Sequence, residues 1–429
     1  MKTKCAAILL AVLALAPLRA EPMVEPVDGE SLLPLSDLLD RTRKTHPRLM
    51  SERHKIAERE SEWQSVAHLN WATLDGTASY YRLAYVTPIK QRFLGTAPND
   101  YQGRLALKQP LWTGGGNGAR EQAAAYGAEA AREEYRLAER DVLAGVRAAY
   151  VLSFQAQESR RIKEELALRV RRFVDTAEEL HRRTRLPRLE ALLRLRVQYQ
   201  NALQDEIAAE HQMRIARVAL AQAIGASSAS APSAGGLTEP VELDTAPLSG
   251  APLAGHPAIR LRAKEIAKAK QSVNLARSRF HPQIYGTAGY GYEWGEIGSG
   301  RTDWTAGIAL EWPLWDWGRR KALTRQAAAQ ESQLEQAKEL TGIELSSLWE
   351  TARARRQSAV DRLELARDNV GMAEKSLRLY EERYRDGVAS NLEWLDAQQA
   401  WVGARLNQLQ VQTDARLAAV ELVRTGGEQ

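Results

Sequence analysis

The 429-residue sequence predicts an α+β membrane protein, a two-fold internal repeat of long α-helical hairpins with two membrane-type β-strands in each repeat. Three observations predict it: landmarks that recur about 200 residues apart, four segments of about ten residues that alternate apolar and polar side chains, and two proline-free stretches of roughly 68 residues with a helical composition.

The repeat is fixed by paired landmarks. His46-Pro47 is echoed by His256-Pro257 at an offset of 210, Pro110-Leu111-Trp112 by Pro313-Leu314-Trp315 and Leu189-Glu190 by Leu392-Glu393, both at 203. From Pro110 to Glu190 the spacing tolerates no insertion. A helix packed along its whole length behaves this way, because one added residue rotates everything beyond it by about 100°.

The strands come next. In 283–294, Ile284, Gly286, Ala288, Tyr290, Tyr292 and Trp294 share one face and Thr287, Gly289, Gly291 and Glu293 the other. In 302–313, Trp304, Ala306, Ile308, Leu310 and Trp312 alternate with Asp303, Thr305, Gly307 and Glu311. The first repeat repeats the pattern over 71–82 and 101–111, with Leu74 and Tyr80 opposing Asp75 and Thr77, and Leu105 and Leu107 opposing Arg104 and Lys108. Such alternation suits outer-membrane strands with aromatic girdles, and it also suits a soluble sheet lying over a core. Four strands cannot close a barrel, and lipid does not tolerate open edges, so closure requires other subunits. Two copies give eight strands and three give twelve; the polar, glycine-rich inner faces favour the water-filled twelve-stranded case.

The helices follow. Each rod, from Asn117 to about Arg183 and from about Gly318 to Arg385, would span roughly 100 Å and needs partners along its length. Turns at Arg185-Leu186-Pro187 and Asp386-Gly387-Val388 lead into returning helices, the second with Val402, Leu406 and Leu409 in a packed stripe. The expected organisation is a signal peptide at 1–20, a first repeat at 21–225, an Ala/Ser/Pro/Gly-rich link at 226–255, a second repeat at 256–425 and a tail at 426–429.

Composition excludes several classes. A mean hydropathy of -0.43 is too polar for a helical membrane protein. Residues 1–20 combine Lys2 and Lys4 with an apolar run and small residues at Ala16 and Ala20, which predicts export and cleavage after Ala20. Cys5, the one cysteine, would leave with this segment, so neither a disulfide nor a cysteine metal site is expected. Loss of Lys2, Lys4 and Arg19 lowers the formal charge of +5 by three, which gives no support for nucleic-acid binding. Gly114, Gly116 and Ala119 formally match a dinucleotide fingerprint, but the equivalent Trp315-Asp316-Trp317-Gly318 retains one glycine and no βαβ unit follows. Strand-to-helix hinges at Pro110, Gly114, Pro313 and Gly318 are expected instead. Seven scattered histidines form no metal-ligand pattern, so the reading is a protein without cofactor or catalytic site.

The run Tyr384-Arg385-Asp386-Gly387-Val388-Ala389-Ser390-Asn391-Leu392-Glu393-Trp394-Leu395-Asp396-Ala397-Gln398 resembles the signature of TolC-type outer-membrane efflux proteins. So do Phe280-His281-Pro282-Gln283-Ile284, Pro313-Leu314-Trp315 and Gly318-Arg319-Arg320. The resemblance implies a homotrimer with a twelve-stranded barrel in outer-membrane lipid and an α-helical tunnel across the periplasm. It also implies docking on a periplasmic adaptor (membrane fusion protein) and an inner-membrane pump, in a tripartite efflux or type I secretion system. Glu393 and Asp396 match acids that ring the periplasmic mouth in that family; Glu190 duplicates the first, while Leu193 stands opposite the second. The tip turns, Arg185, Leu186, Pro187 and Arg188 with Asp386, Gly387, Val388 and Ala389, are the implied adaptor contacts. The arginine that latches the closed state in some members is Ala389 here, which leaves Arg385 or the Arg182, Arg183, Arg185 cluster as substitutes. The other reading of the rods is a periplasmic adaptor or coiled-coil structural protein, which would lack the four lipid-type strands.

Overall fold

The computed structural model describes residues 34–82, 84–85, 99–184, 188–227, 237–239, 255–295, 301–386 and 388–426. The proposed signal peptide, most of the 226–255 link, Arg185, Leu186, Pro187 and Gly387 and the tail beyond 426 lie outside the described residues.

The described elements run α1 (Leu35–Thr45), α2 (Pro47–Ala67), β1 (Thr73–Arg82), β2 (Asn99–Trp112), α3 (Gly116–Thr184), α4 (Leu189–Ala223), α5 (Pro257–Ser278), β3 (Gln283–Gly295), β4 (Arg301–Glu311), α6 (Arg319–Arg385) and α7 (Asn391–Thr425). The two rods, α3 and α6, hold 69 and 67 residues, close to 100 Å each at helical rise. Each repeat opens on the same device. His46 and His256 precede a proline at the first helical position, and the ring Nδ1 of each accepts the backbone N–H two residues on, at 3.2 Å in both.

The strands form one antiparallel sheet in the order β1-β2-β3-β4. Its register puts the apolar residues in rows: Leu74 faces Leu107, Tyr80 faces Tyr101, Leu105 faces Tyr290, and Tyr290 faces Trp304. The other face carries Asp75, Thr77, Arg104, Lys108, Thr287 and Asp303. No described element covers the apolar face: Trp304 is 74% exposed and Ile308 75%. A soluble sheet would bury these side chains against a core, so the rows are a lipid-facing surface.

The strand ends lie within one or two residues of the expected bounds, and proline shapes two of the strands. β4 stops at Glu311, leaving Trp312 and Pro313 beyond the ladder, because proline has no N–H to continue it. Pro110 lies within β2, where the register shifts between Pro110 and Trp112 and leaves Leu111 as the extra residue of a bulge.

Helices pack side by side as a layer. On the barrel side α3 lies between α2 and α5, with α6 beyond α5; towards the tip α3 lies between α4 and α7, with α6 beyond α7. Two larger cores among the described residues hold this layer, beside a small one of Leu49, Ala138 and Val142. One is at mid-length, where Leu35, Leu38 and Leu39 of α1 meet Val146, Tyr150 and Phe154 of α3, Leu220 and Val420. Leu237 of the link docks there too, its N–H held by Gln157 at 2.9 Å. The other core is near the tip, where Val170, Val174 and Ala177 meet Leu192, Leu195, Leu377, Trp394 and Trp401.

Candidate functional site: the tip of the helical layer

The hairpin of the second repeat turns at Asp386 to Ser390. The Arg383 carbonyl accepts the N–H of both Val388, at 2.8 Å, and Ala389, at 3.0 Å, which satisfies the end of α6 after its axis has stopped. α7 then starts on a capping box. The Glu393 N–H donates to Ser390 Oγ at 3.3 Å, while Glu393 Oε2 accepts the Ser390 N–H at 2.7 Å and its hydroxyl at 2.9 Å.

These bonds to Ser390, its backbone N–H first, hold the Glu393 carboxyl below the usual carboxylate range, with Arg383 adding to the effect. Glu393 is therefore an anion at neutral pH even though it serves as a cap. Asp396 follows three residues on, and both side chains are exposed on the side of α7 away from its buried residues. Glu190 is exposed in the first turn of α4, with exposed Leu193 in the place of Asp396. Arg188, Asp386 and Val388 are exposed at the same end and Ala389 is half-buried.

The opposite side of α7 is packed into the layer by aromatic contacts that the sequence reading missed. The Trp394 ring, 1% exposed, stacks on Phe173 of α3 at 3.7 Å with 1° between planes, and Phe173 also meets Tyr384 of α6 at 4.4 Å. Burial pushes the Tyr384 phenol above its usual value, so it stays a neutral hydroxyl. Arg169 bridges Glu165 at 2.8 Å and lies over the Trp401 ring at 4.7 Å. The missed signal was Trp394, Gln398 and Trp401 at helical spacing, one stripe on α7. The chosen stripe of Val402, Leu406 and Leu409 is buried only at Leu409. The arginine candidates for a latch are partly occupied, since Arg182 and Arg183 both pair with Glu179, at 3.7 and 2.7 Å.

At the other end of the rods stand the strand-to-helix turns. Gly114 has φ 61°, and a Cβ there would lie 2.7 Å from the His281 Cβ and 2.8 Å from the Ser278 carbonyl oxygen. A Cβ on Gly116 would meet Ser278 Oγ at 2.7 Å. The glycines of the formal dinucleotide fingerprint are thus filled by packing against the end of α5, with no open cradle for a pyrophosphate. Gly318 caps α6 at φ 83°. Among the described residues no group of three or more His, Cys, Asp or Glu could hold a metal, and no helix is long and apolar enough to cross a membrane.

This geometry has relatives. Residues 38–226 and 248–428 match the family model described as outer membrane efflux protein. The antibiotic efflux pump outer membrane protein ArpC of Pseudomonas putida is 31% identical over 199 residues, a stretch covering 40% of this chain and 40% of that relative. The Campylobacter jejuni CmeC outer membrane channel superposes with a TM-score of 0.79 at 18% identity, over 92% of this chain and 86% of its own. VceC, an outer membrane protein of Vibrio cholerae, superposes with a TM-score of 0.75 at 18% identity, over 92% and 96%. At these identities the structures share the fold.

Proposed function

Because the chain belongs to the outer membrane efflux protein family and resides in the outer membrane, extending into the periplasm, we propose that it is the passive exit duct of a tripartite efflux or type I secretion system. In this reading three copies close a twelve-stranded barrel in the lipid and a helical tunnel across the periplasm. A periplasmic adaptor docks on the tips, Arg185 to Arg188 and Asp386 to Ala389, and an inner-membrane pump supplies the energy. Small molecules of the antibiotic class are the favoured cargo, since that is what the ArpC name describes for a relative matched over 40% of its length.

One observation carries the reading. The layer has open edges at both levels and on the same two sides. Among the described residues β1 pairs only with β2 and β4 only with β3, leaving each outer ladder unmatched. Bare backbone edges are not tolerated in lipid. Beneath β4, α6 exposes Leu340, Ile343 and Leu365, and on the β1 side α4 exposes Leu193, Val197 and Ile207. Joining one edge to the other, copy to copy, pairs the strands and covers both apolar stripes in a single step.

The mouth follows from the same assembly. Glu393 and Asp396 from three copies would place six carboxylates around one constriction, with Glu190 contributing a weaker second ring, a field that admits cations and repels anions. The test is planar-bilayer conductance in asymmetric salt. Replacing Glu393 and Asp396 together by Gln and Asn is expected to reduce cation preference and weaken block by multivalent cations from the periplasmic side, with Glu190→Gln giving a smaller change. An unchanged reversal potential in the double variant would leave these acids as helix-start residues.

A further inference from the structure

The strand-to-helix turn of the second repeat holds a residue that pore formation does not require. At the 203-residue offset Trp317 stands where the first repeat has Gly114, and both adopt left-handed backbone, at φ 55° and 61°. Gly114 is imposed by its surroundings, since a Cβ would strike His281 and the Ser278 carbonyl. At 317 the side chain is exposed. Glycine would suit the backbone better, yet the position carries the largest side chain of all, 90% exposed. An unfavourable conformation that presents an indole to the outside, its ring contact being with Trp315, itself exposed, points to something outside that covers it.

The surrounding residues build a hook. Trp315, 75% exposed, meets Trp317 edge to face at 5.7 Å. Asp316 fixes the turn between them, its carboxylate accepting the Gly318 N–H at 3.2 Å and both the N–H and Nε–H of Arg320, at 2.9 and 2.8 Å. Arg320 is in turn tied to the Arg279 carbonyl at 3.2 Å and lies over the Phe280 ring at 5.2 Å. The indoles are therefore held out from a braced turn.

What covers the hook is indicated by its two sides. Before it in the chain come the lipid-facing row of β4, Trp304, Ile308 and Leu310, and then exposed Trp312 and Leu314. After it, Lys321 and Arg325 follow at steps of four residues on α6, both exposed and without an acidic partner among the described residues. At helical rise Lys321 and Arg325 lie ~3 Å and ~9 Å along the axis from Arg319, the start of α6, the first within the depth of a headgroup layer and the second within reach of it on a long stem. The first repeat has Trp112 where Trp315 stands but Gly114, Gly118 and Gln122 at the other three positions, so neither the second indole nor the cations are duplicated.

We propose that Trp315, Trp317, Lys321 and Arg325 form a phospholipid-binding site at the periplasmic face of the outer membrane. The indoles sit at headgroup level, and the two cations take the phosphate of an anionic headgroup. This site rests on the outer-membrane placement of the chain and not on its export role.

The test uses the full chain in vesicles of phosphatidylcholine and phosphatidylglycerol, with acyl chains brominated near the headgroup to quench nearby tryptophans. The wild type is expected to show a component of quenching that is lost in Trp315→Phe/Trp317→Gly, while Trp317→Gly keeps or raises the thermal midpoint in detergent because glycine suits φ 55°. Phosphatidylglycerol retained through purification is expected to fall about fivefold for each of Lys321→Gln and Arg325→Gln, with phosphatidylcholine unchanged. Unchanged quenching in the double variant, or unchanged phosphatidylglycerol retention, would overturn the site. So would loss of subunits from the particle in Trp317→Gly, which would assign the hook to a second copy of the chain. Bilayer conductance separates this proposal from the duct, since hook variants should conduct as the wild type does.

Discussion

The two rods are nearly equal in length and similar in composition, but they are not equal in the fold. α3 buries a stripe along most of its length: Ala128, Ala131, Ala138, Val146, Tyr150, Val170 and Ala177 are all inside, packed by α1, α2, α4, α5 and α7. Among the described residues α6 packs chiefly against α5 and α7, and it exposes Leu340, Ile343, Leu365, Met372 and Leu379. The repeat duplicates the sequence pattern, but the leucines of α1 join the core around the middle of α3, together with Leu220 and Val420. α6 is thus the rod left with an exposed apolar side, and this difference gives a duplicated subunit two unlike edges.

The comparison is broken most severely at the centre of α3. Tyr150 is 0% exposed, and its hydroxyl donates to the Thr238 carbonyl at 2.8 Å, tying the link to the rod. Tyr150→Ala is expected to cost about 3–5 kcal/mol, seen as a large fall in thermal midpoint in detergent. The matching change on α6, Leu365→Ala at a side chain 69% exposed, is expected to cost the isolated chain less than about 0.5 kcal/mol. Equal losses from the two would show that the rods are not distinguished by burial.

A charge sharpens the contrast. Leu365→Glu should leave the secondary structure of the chain intact by circular dichroism while weakening its association with other copies, because a carboxylate would be buried without a partner when the edges join. An unchanged particle size would place Leu365 on a surface that faces water or pore.

How much of this was legible in the sequence follows from which interactions are local. The strands and rods were readable because their periods belong to the chain itself, alternation in Ile284 to Trp294 and a proline-free helical composition in Asn117 to Arg183. The repeat offset was readable for the same reason. The fate of the two rods was not, since Ala/Glu/Arg-rich helices look alike until α1 and the link choose which to cover. Phe173, Tyr384 and Trp394 come from three elements more than 200 residues apart at the extreme, so no window contains the tip cluster. Glu393 was read as a first-turn acid and as a mouth acid, and its bonds to Ser390 make the first role visible while leaving the charge of the second in place. The strain at Trp317 was hidden because φ depends on the turn that Asp316 and Arg320 brace.

The smallest expected effect compares the two histidine caps. His256 is buried, with Nε2 3.3 Å from the Arg424 carbonyl, and burial lowers its affinity for a proton, with the Arg140 and Arg260 guanidiniums acting the same way against the opposing pull of the Arg424 carbonyl and Asp141. His46 is shifted the same way by burial and Arg48. A histidine whose folded value is lowered binds its proton more readily in the unfolded chain. Its stabilising contribution is therefore present above the ordinary histidine range and is lost as pH falls through that range. His256→Asn keeps a capping side chain and should flatten the acid side of the pH-stability profile, His46→Asn less so because it is less buried. An unaltered acid limb in His256→Asn would remove the cap from the account.

The central claim is that the exposed rod and the open strand edges are seams between identical copies. Native mass spectrometry of the detergent-solubilised protein counts the chains in one particle directly. The account predicts three chains in the wild type and fewer in Leu365→Glu; a wild type that remains a single folded chain would contradict it.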